Sequence, residues 1–446
     1  MSNVDRDSNN IPAYLPYLIC TLASLFYLYE FVLQVSPSVM TKELMRSFGI
    51  GAAGVSIISA FYYYAYTPTQ IIAGLLYDRF GPRRVLTVAI MICAVGAFFF
   101  SMTSSFALAS IGRFLMGIGS AFSFIGSLML VSRWFPPRLF ALIAGIVQFM
   151  CAIGAICGQI PIAAAVSHFG WRHTLFWIAI FGLFLALLVS IVVKDHPPGK
   201  IISTVSHQKS GVLSRLITVF GKAQTWWIGL SAFFSWGPMV IFAALWGIPY
   251  LSERYGISTT QASTACAMIW VGMGLGSIFL GWLGDLVYRR KVPVIICAIL
   301  AIVSGVMVLY VPNVSFHAMY FWLFLFGVGG SGQNTTHAIV REINPPSAVG
   351  TAIGFNNMAI VLSGAILQPL SGFILHHEWS GKIVNGVPYY SVPEYISAMG
   401  IAPLCGVAGL LISLCFVKET YCRSVADDAQ SIQKKDSKVL KQNIAI

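Results

Sequence analysis

The stretch Gly74-Leu-Leu-Tyr-Asp78-Arg79-Phe-Gly81-Pro-Arg83-Arg84 decides how the rest of the chain is read. It is a short charged turn between two long apolar runs, and it has a counterpart. Residues 74–79 match Gly281-Trp-Leu-Gly-Asp285-Leu286 at an offset of 207 residues. Farther along, Arg133-Trp-Phe-Pro-Pro137 matches Arg341-Glu-Ile-Asn-Pro-Pro346, Gly145 matches Gly354, and Gln159 matches Gln368, at offsets of 208 or 209. Matches that keep their order through several apolar runs describe two similar halves in parallel. Such halves enclose a site near the middle that opens to either side by rocking.

Around this turn the chain is almost devoid of charge. Of 446 residues, 57% are hydrophobic and 9% charged, against about 25% charged in an ordinary soluble domain. The mean hydropathy is +0.79. So few charges cannot clothe a soluble surface, whereas a bilayer accepts apolar helices whose backbone groups are satisfied internally. Runs near the roughly 20 residues that a span needs recur at 14–37, 53–77, 84–103, 106–132, 139–165, 172–193, 224–250, 259–283, 292–311, 315–340, 348–375 and 394–417. The expected fold is an all-α membrane protein, with twelve transmembrane helices in two pseudo-symmetric six-helix bundles around a central cavity. The expected divisions are a cytosolic tail 1–13, a bundle 14–194, a cytosolic linker 195–222, a bundle 223–417 and a cytosolic tail 418–446, charged and disordered.

The net charge of +12 sits in short loops and in the C-terminal tail, where basic residues set membrane orientation. With the N-terminus inside, the inner segments carry 21 Lys and Arg residues and the outer loops carry 5; Arg113 lies within a span. That bias expects both termini in the cytoplasm of a bacterial inner membrane. It gives no basic stripe on a soluble fold, so nucleic acid is not an expected partner. The polar start of the chain lacks the basic region and cleavage site of a signal peptide. Cysteines 20, 93, 151, 157, 266, 297, 405 and 415 lie in apolar runs without metal spacing. They read as small buried hydrophobes.

The turn at 74–84 resembles the signature G-x-L-x-D-R-x-G-R-R of the major facilitator superfamily, with Pro82 in place of the first of the final basic pair. The resemblance covers nearly the whole chain. It implies that Gly74, Asp78, Arg79, Gly81, Arg83 and Arg84 form a cytosolic gate motif, joined by Arg133 and by Asp285 of the second half. Asp78 is then expected to face the N-terminus of the helix that begins near Ser347, latching the cytosolic side; a carboxylate is favourable there. Arg113-Phe-Leu-Met-Gly117-Ile-Gly119 resembles the family phrase R-x-x-x-G-x-G, and Gly170-Trp-Arg-His-Thr-Leu-Phe176 resembles G-W-R-x-x-F with Phe176 one place later. The fifth run lacks the Gly-Pro pair of drug antiporters. A narrower likeness, in Phe31–Met40 and Phe61–Tyr66, is to phagosomal nutrient transporters and lysosomal dipeptide transporters. It implies an amino acid, short peptide or nucleoside as substrate.

An arginine within hydrocarbon costs at least about 2.5 kcal/mol, so Arg113 should face the cavity and find a partner. Glu30 is the acidic residue well inside a span, at nearly the same depth. The two are expected to pair, either as a proton-coupling site or as a structural salt bridge. Gln34 shares the helical face of Glu30. Tyr62, Tyr63 and Tyr66 offer aromatic surface and hydroxyls, and His337 and Asn356 offer polar groups in the second half. The functional expectation is a secondary active transporter for a small polar nutrient, coupled to protons, monomeric and without a cofactor. Siderophore or drug export by the same fold is the alternative. A membrane enzyme would need a nucleophile–base or metal constellation, and a sensor a soluble signalling domain; neither is evident, and there is no P-loop.

Overall fold

The structure, a computed structural model, describes residue 12 and residues 14–197 and 212–425. Each of the twelve expected spans falls on helix. The first half runs α1 (Leu15–Val35), the short amphipathic α2 (Thr41–Phe48), α3 (Ala52–Phe80), α4 (Pro82–Met102), α5 (Phe106–Ser120), α6 (Ser123–Trp134), α7 (Pro137–Phe169) and α8 (Trp171–Val192). A linker helix, α9 (Val212–Phe220), follows. The second half runs α10 (Ala223–Pro238), a π-helical segment Met239–Trp246, α11 (Gly247–Tyr255), α12 (Thr259–Leu286), α13 (Lys291–Leu309), α14 (Phe316–Gly330), α15 (Gly332–Glu342), α16 (Val349–His377), α17 (Val392–Met399) and α18 (Ile401–Cys415). Between α16 and α17 lies a small antiparallel hairpin, β1 (Ile383–Val384) and β2 (Val387–Pro388).

Ten of the described helices are long and apolar enough to cross a membrane, and eleven if α2 and α3, bent by 106°, count as one span. The second span falls short alone because α3 is rich in Tyr, Thr and Gln. The tenth is broken, α14 from α15, at Ser331. The fourth is broken at the equivalent place, between Ser120 and Ser123. Both breaks fall in runs of small residues, Gly117-Ile-Gly-Ser-Ala121 and Gly329-Gly-Ser-Gly332, where the i to i+4 ladder is easily interrupted. The equivalence extends to a cysteine on the neighbouring helix: Cys93 Sγ lies 3.6 Å from Ser120 Oγ, and Cys297 Sγ lies 3.6 Å from Ser331 Oγ.

The halves meet along α3 against α16 and along α7 against α12. One end of the molecule, carrying the hairpin, is closed. Ala52 N donates to the Tyr390 hydroxyl at 2.9 Å, and Gly372 and Gly364 lie flush against Ser56 and the Tyr63 ring. At the other end, where the basic turns lie, α3 and α16 diverge. Among the described residues, no atom beyond their own stretch of helix comes within 4 Å of the Cβ positions of Gly74 or Gly350, and a cavity of about 340 Å³ opens between them.

Several expectations change at this level. The segment beyond Lys418, expected to be disordered, is ordered and anchored through residue 425. Glu419 accepts from the backbone of Arg290 and Lys291 at 2.7 and 3.0 Å, which places a carboxylate on the N-terminus of α13. The remainder, 426–446, lies outside the described residues, as do 198–211 of the expected linker. Within that linker α9 forms and packs on α10 and α16. Cys415 is exposed on α18 rather than buried, and Cys157 is half-buried.

Candidate functional site

Between the halves, near mid-depth, lies a cavity of about 40 Å³. Tyr27, Glu30, Phe31 and Gln34 of α1 form one wall, with Tyr66, Phe124, Gln148 and Cys151 beside them. Trp236, Gln333, Asn334, His337, Asn357, Ile360 and Val361 complete it from the second half. Phe124 and Asn357 also line the larger cavity at the basic end, so the two spaces adjoin. Of the residues singled out in the sequence, Glu30, Gln34, Tyr66 and His337 reach this lining. Arg113, Tyr62, Tyr63 and Asn356 stand behind it. Gln148 and Trp236 were missed; the available signal for the first was an amide within the fifth apolar run, eleven residues before Gln159.

Glu30 is buried at 1% exposure. Its Oε1 accepts from the Tyr62 hydroxyl at 2.9 Å, and its Oε2 accepts from Ser123 Oγ at 2.9 Å. Ser123 is available because the fourth span breaks immediately before it. The break is held by the second span: Gln70 Nε2 donates to Ala121 O at 2.9 Å, and the Tyr77 hydroxyl donates to Phe122 O.

The expected Glu30–Arg113 ion pair is not made; the Tyr62 side chain is in contact with both. The Arg113 guanidinium lies 4.9 Å from the centre of the Tyr62 ring, whose hydroxyl holds Glu30. Arg113 Nη1 donates instead to Leu33 O at 2.7 Å. The reason is Pro37: in a regular helix Leu33 O would accept from residue 37, and proline has no N–H to give. Arg113 Nε and Nη2 are buried without a partner. Gln34 Nε2 donates to the Tyr63 hydroxyl at 3.2 Å. Asn356, fully buried, donates to Thr336 Oγ1 at 2.9 Å and lies 3.1 Å from His337 Nδ1. Behind the lining of the second half it sets the orientation of the imidazole.

The basic turn does not form the expected latch in this conformation. Asp78 is exposed on the wall of the open cavity, opposite Gly350 and Thr351, with no ion pair among the described residues. Arg133 lies 3.4 Å from Asp195 O and 3.3 Å from His196 Nε2. Separation of α3 from α16 has removed the helix terminus that Asp78 was expected to face. Gly81 takes a left-handed φ of +78° between α3 and α4, and a Cβ there would lie 2.8 Å from the Asp195 carboxylate. That carboxylate accepts from Arg83 N at 2.8 Å, while Arg83 Nε donates to Ser190 O at 2.8 Å. Arg79 lies over the Phe80 ring, and Arg84 is exposed. In the second half Asp285 pairs with Arg290 at 2.7 Å, and Arg290 also binds Glu342 at 3.0 Å. Asp195 and Glu419 thus cap α4 and α13 in equivalent ways.

Two halves around a mid-depth cavity, closed at one end and open at the other, are the architecture of an alternating-access carrier. The Major Facilitator Superfamily model matches residues 19–248 and again 228–441. The chain belongs to that superfamily. It is a multi-pass membrane protein and a transporter of small molecules. A hexuronate transporter of Bacillus subtilis is 25% identical over 356 residues, covering 76% of this chain and 83% of that one. The ascorbate transporter of Arabidopsis thaliana chloroplasts is 21% identical over 381 residues, covering 80% and 70%. A bacterial homolog of the human lysosomal transporter Spinster, solved inward-facing and unoccupied, superposes with a TM-score of 0.74 at 15% identity, covering 92% and 97%. Among the described residues no group of three or more His, Cys, Asp or Glu is placed to hold a metal.

Proposed function

We propose that this superfamily member is a proton-coupled importer of a small polar nutrient that presents an amine or several hydroxyls: an amino acid, a short peptide or a nucleoside. It works as a monomer in a bacterial inner membrane. The basic end and both termini are cytoplasmic, so the conformation faces inward. The units that rock are 14–194 and 223–417, with 195–222 as the connection. The observation that carries this reading is the make-up of the cavity wall. Among the described residues it holds one carboxylate, Glu30, with amides and aromatic faces, and no Lys or Arg. A carboxylate attracts an amine and repels a simple anion; amides suit hydroxyls and peptide groups. Glu30 is the proton carrier, because an unpaired buried carboxylate is costly while the protonated acid is not. Glu30, Gln34, Tyr66 and His337 contact the solute, with Tyr62, Tyr63, Arg113 and Asn356 positioning them. The turn residues Gly74, Asp78, Arg79, Gly81, Arg83, Arg84, Arg133 and Asp285 serve the cytosolic gate.

A second reading has its own support. Hexuronate is a carboxylate, and Arg113 has two nitrogens without partners. An organic acid would bind if Arg113 swung past Tyr62 into the cavity. Uptake into proteoliposomes under an imposed inward proton gradient separates the two. A panel of labelled amino acids, dipeptides, nucleosides and hexuronates is offered. Accumulation of one of the first three classes, abolished by a protonophore, is expected. Accumulation of a hexuronate alone would overturn the proposal in favour of the second reading.

A further inference from the structure

The repeat in the sequence pairs Gln159 with Gln368, and the role of that pair emerges at the seventh span. Both side chains reach the same piece of chain, the π-helical segment Met239–Trp246. Gln159, on α7 of the first half, donates Nε2 to Ala243 O at 2.6 Å. Gln368, on α16 of the second half, donates Nε2 to Val240 O at 2.9 Å. They are buried at 0% and 1% exposure, and the amide oxygen of each has no partner.

The segment needs such donors for a backbone reason. In an α-helix Gly247 N would donate to Ala243 O; here it donates to Phe242 O, five residues back. Ala243 O thereby loses its α-helical donor, and Gln159 donates to it. Cys266 of α12 also lies beside this carbonyl, its sulfur 3.9 Å from Ala243 O and 3.8 Å from Gln159 Nε2. Isolated π turns persist where something other than the helix satisfies the displaced groups, and they are frequent at functional sites.

The two bonds differ in one respect that matters for transport. Gln368 and Val240 belong to the same half and move together when the halves rock. Gln159 and Ala243 belong to opposite halves, in a carrier whose halves are closed at the hairpin end. We propose that Gln159 is a positioning residue of the transport cycle. It clasps the π turn of the seventh span across the interface and holds the hairpin end shut, and that end opens only when Ala243 O gives up the Gln159 amide. The unpartnered amide oxygen fits this role: the side chain is held by its donor side alone, at Ala243 O with the weak sulfur acceptor of Cys266 beside it, so no bond to the amide oxygen has to break as well. The inference does not depend on which solute is carried.

The test reads the hairpin end directly. Ser56 is fully buried there against Gly372, so Ser56→Cys reports opening by its rate of reaction with a polar maleimide, measured on purified protein above the background of the native cysteines. Adding Gln159→Leu should raise that rate by about five-fold, the population shift that one net hydrogen bond supports. Adding Gln368→Leu, which removes a like bond to the same turn within one half, should leave it at the parental level. Gln159→Asn is too short to reach Ala243 O but keeps a buried amide; it should match Gln159→Leu, and it carries the test if the leucine variant does not fold. An unchanged rate in the Gln159 variants overturns the clasp. So does an equal rise in the Gln368 variant, which would mean that the π turn itself, not its hold across the halves, keeps that end closed.

Discussion

Pro37 shows how far a single residue can redirect a site. Charge and depth alone suggested that Arg113 would pair with Glu30. The missing N–H of Pro37 leaves Leu33 O without its helical backbone donor, and Arg113 Nη1 at 2.7 Å and Ser36 Oγ at 3.1 Å donate to it instead. Both facts are written in the sequence, but the second becomes visible only when a proline is read together with the carbonyl four residues before it. Glu30 was legible as the acid of the cavity; its holders, Tyr62 and Ser123, were legible only in part. The first stood out among the tyrosines, whereas the second depends on a helix break whose only mark in the sequence is a run of small residues, common within membrane spans. The arrangement carries a prediction. In Glu30→Gln one amide oxygen still accepts from Tyr62 or Ser123, so the fold should hold, with a loss of stability of about 1 kcal/mol. The amide cannot carry a proton. Accumulation driven by a pH gradient should therefore fall to background in proteoliposomes, while exchange of labelled for unlabelled solute continues. Accumulation at the parental level would show that Glu30 is structural.

At the scale of elements, the spans themselves were read well, because an apolar run of the right length has few alternatives in a bilayer. The interruptions were not. The fourth and tenth spans break at equivalent serines, and the π turn of the seventh lies in an unremarkable apolar run, Met239–Trp246. Periodicity cannot report a break that leaves the composition unchanged. The close approaches that set the bundle were likewise hidden. A Cβ on Gly327 would lie 1.8 Å from Ile269 O, and one on Gly117 would lie 2.0 Å from Tyr62 O. Both obstacles are backbone, which cannot rotate aside. Gly327→Ala should therefore cost about 3 kcal/mol or more, above the usual range for added core methyls. It should be seen as a large drop in the melting temperature of the purified protein; a drop of only a degree or two would mean that α12 and α14 separate easily. The tail gives a milder case. Glu419→Gln keeps an acceptor for Arg290 N but loses the charge at the α13 terminus, an effect of about 0.3–1 kcal/mol. The matching prediction is a small fall in melting temperature that shrinks as salt is added, since salt screens the lost term.

For the whole molecule, the internal repeat made the two halves visible before any coordinate was known, and the order of its matches required them to lie in parallel. What the repeat does not encode is which end is open, because both halves carry the same signals in every state of the cycle. Asp78 illustrates the consequence. Read as a latch it should have a helix terminus before it; in this conformation it faces a cavity of about 340 Å³ with no ion pair among the described residues. Its carboxylate therefore adds little to the stability of the state seen here. If it works as a latch, its whole contribution belongs to the opposite state, in which α3 and α16 close on each other at the basic end. That asymmetry makes the role measurable. Asp78→Asn should leave the state seen here as stable as before and weaken its rival, so the equilibrium moves toward the open basic end by the worth of one carboxylate at a helix N-terminus, about 0.3–1 kcal/mol or up to five-fold in population. Leu128, on the wall of that cavity, supplies the reporter as Leu128→Cys. Its maleimide reactivity should rise in the Asp78→Asn background, and net transport should fall because return to the opposite state becomes rarer. If reactivity and uptake both stay at the parental level, the carboxylate is no latch, and the turn serves only to place positive charge at the membrane surface.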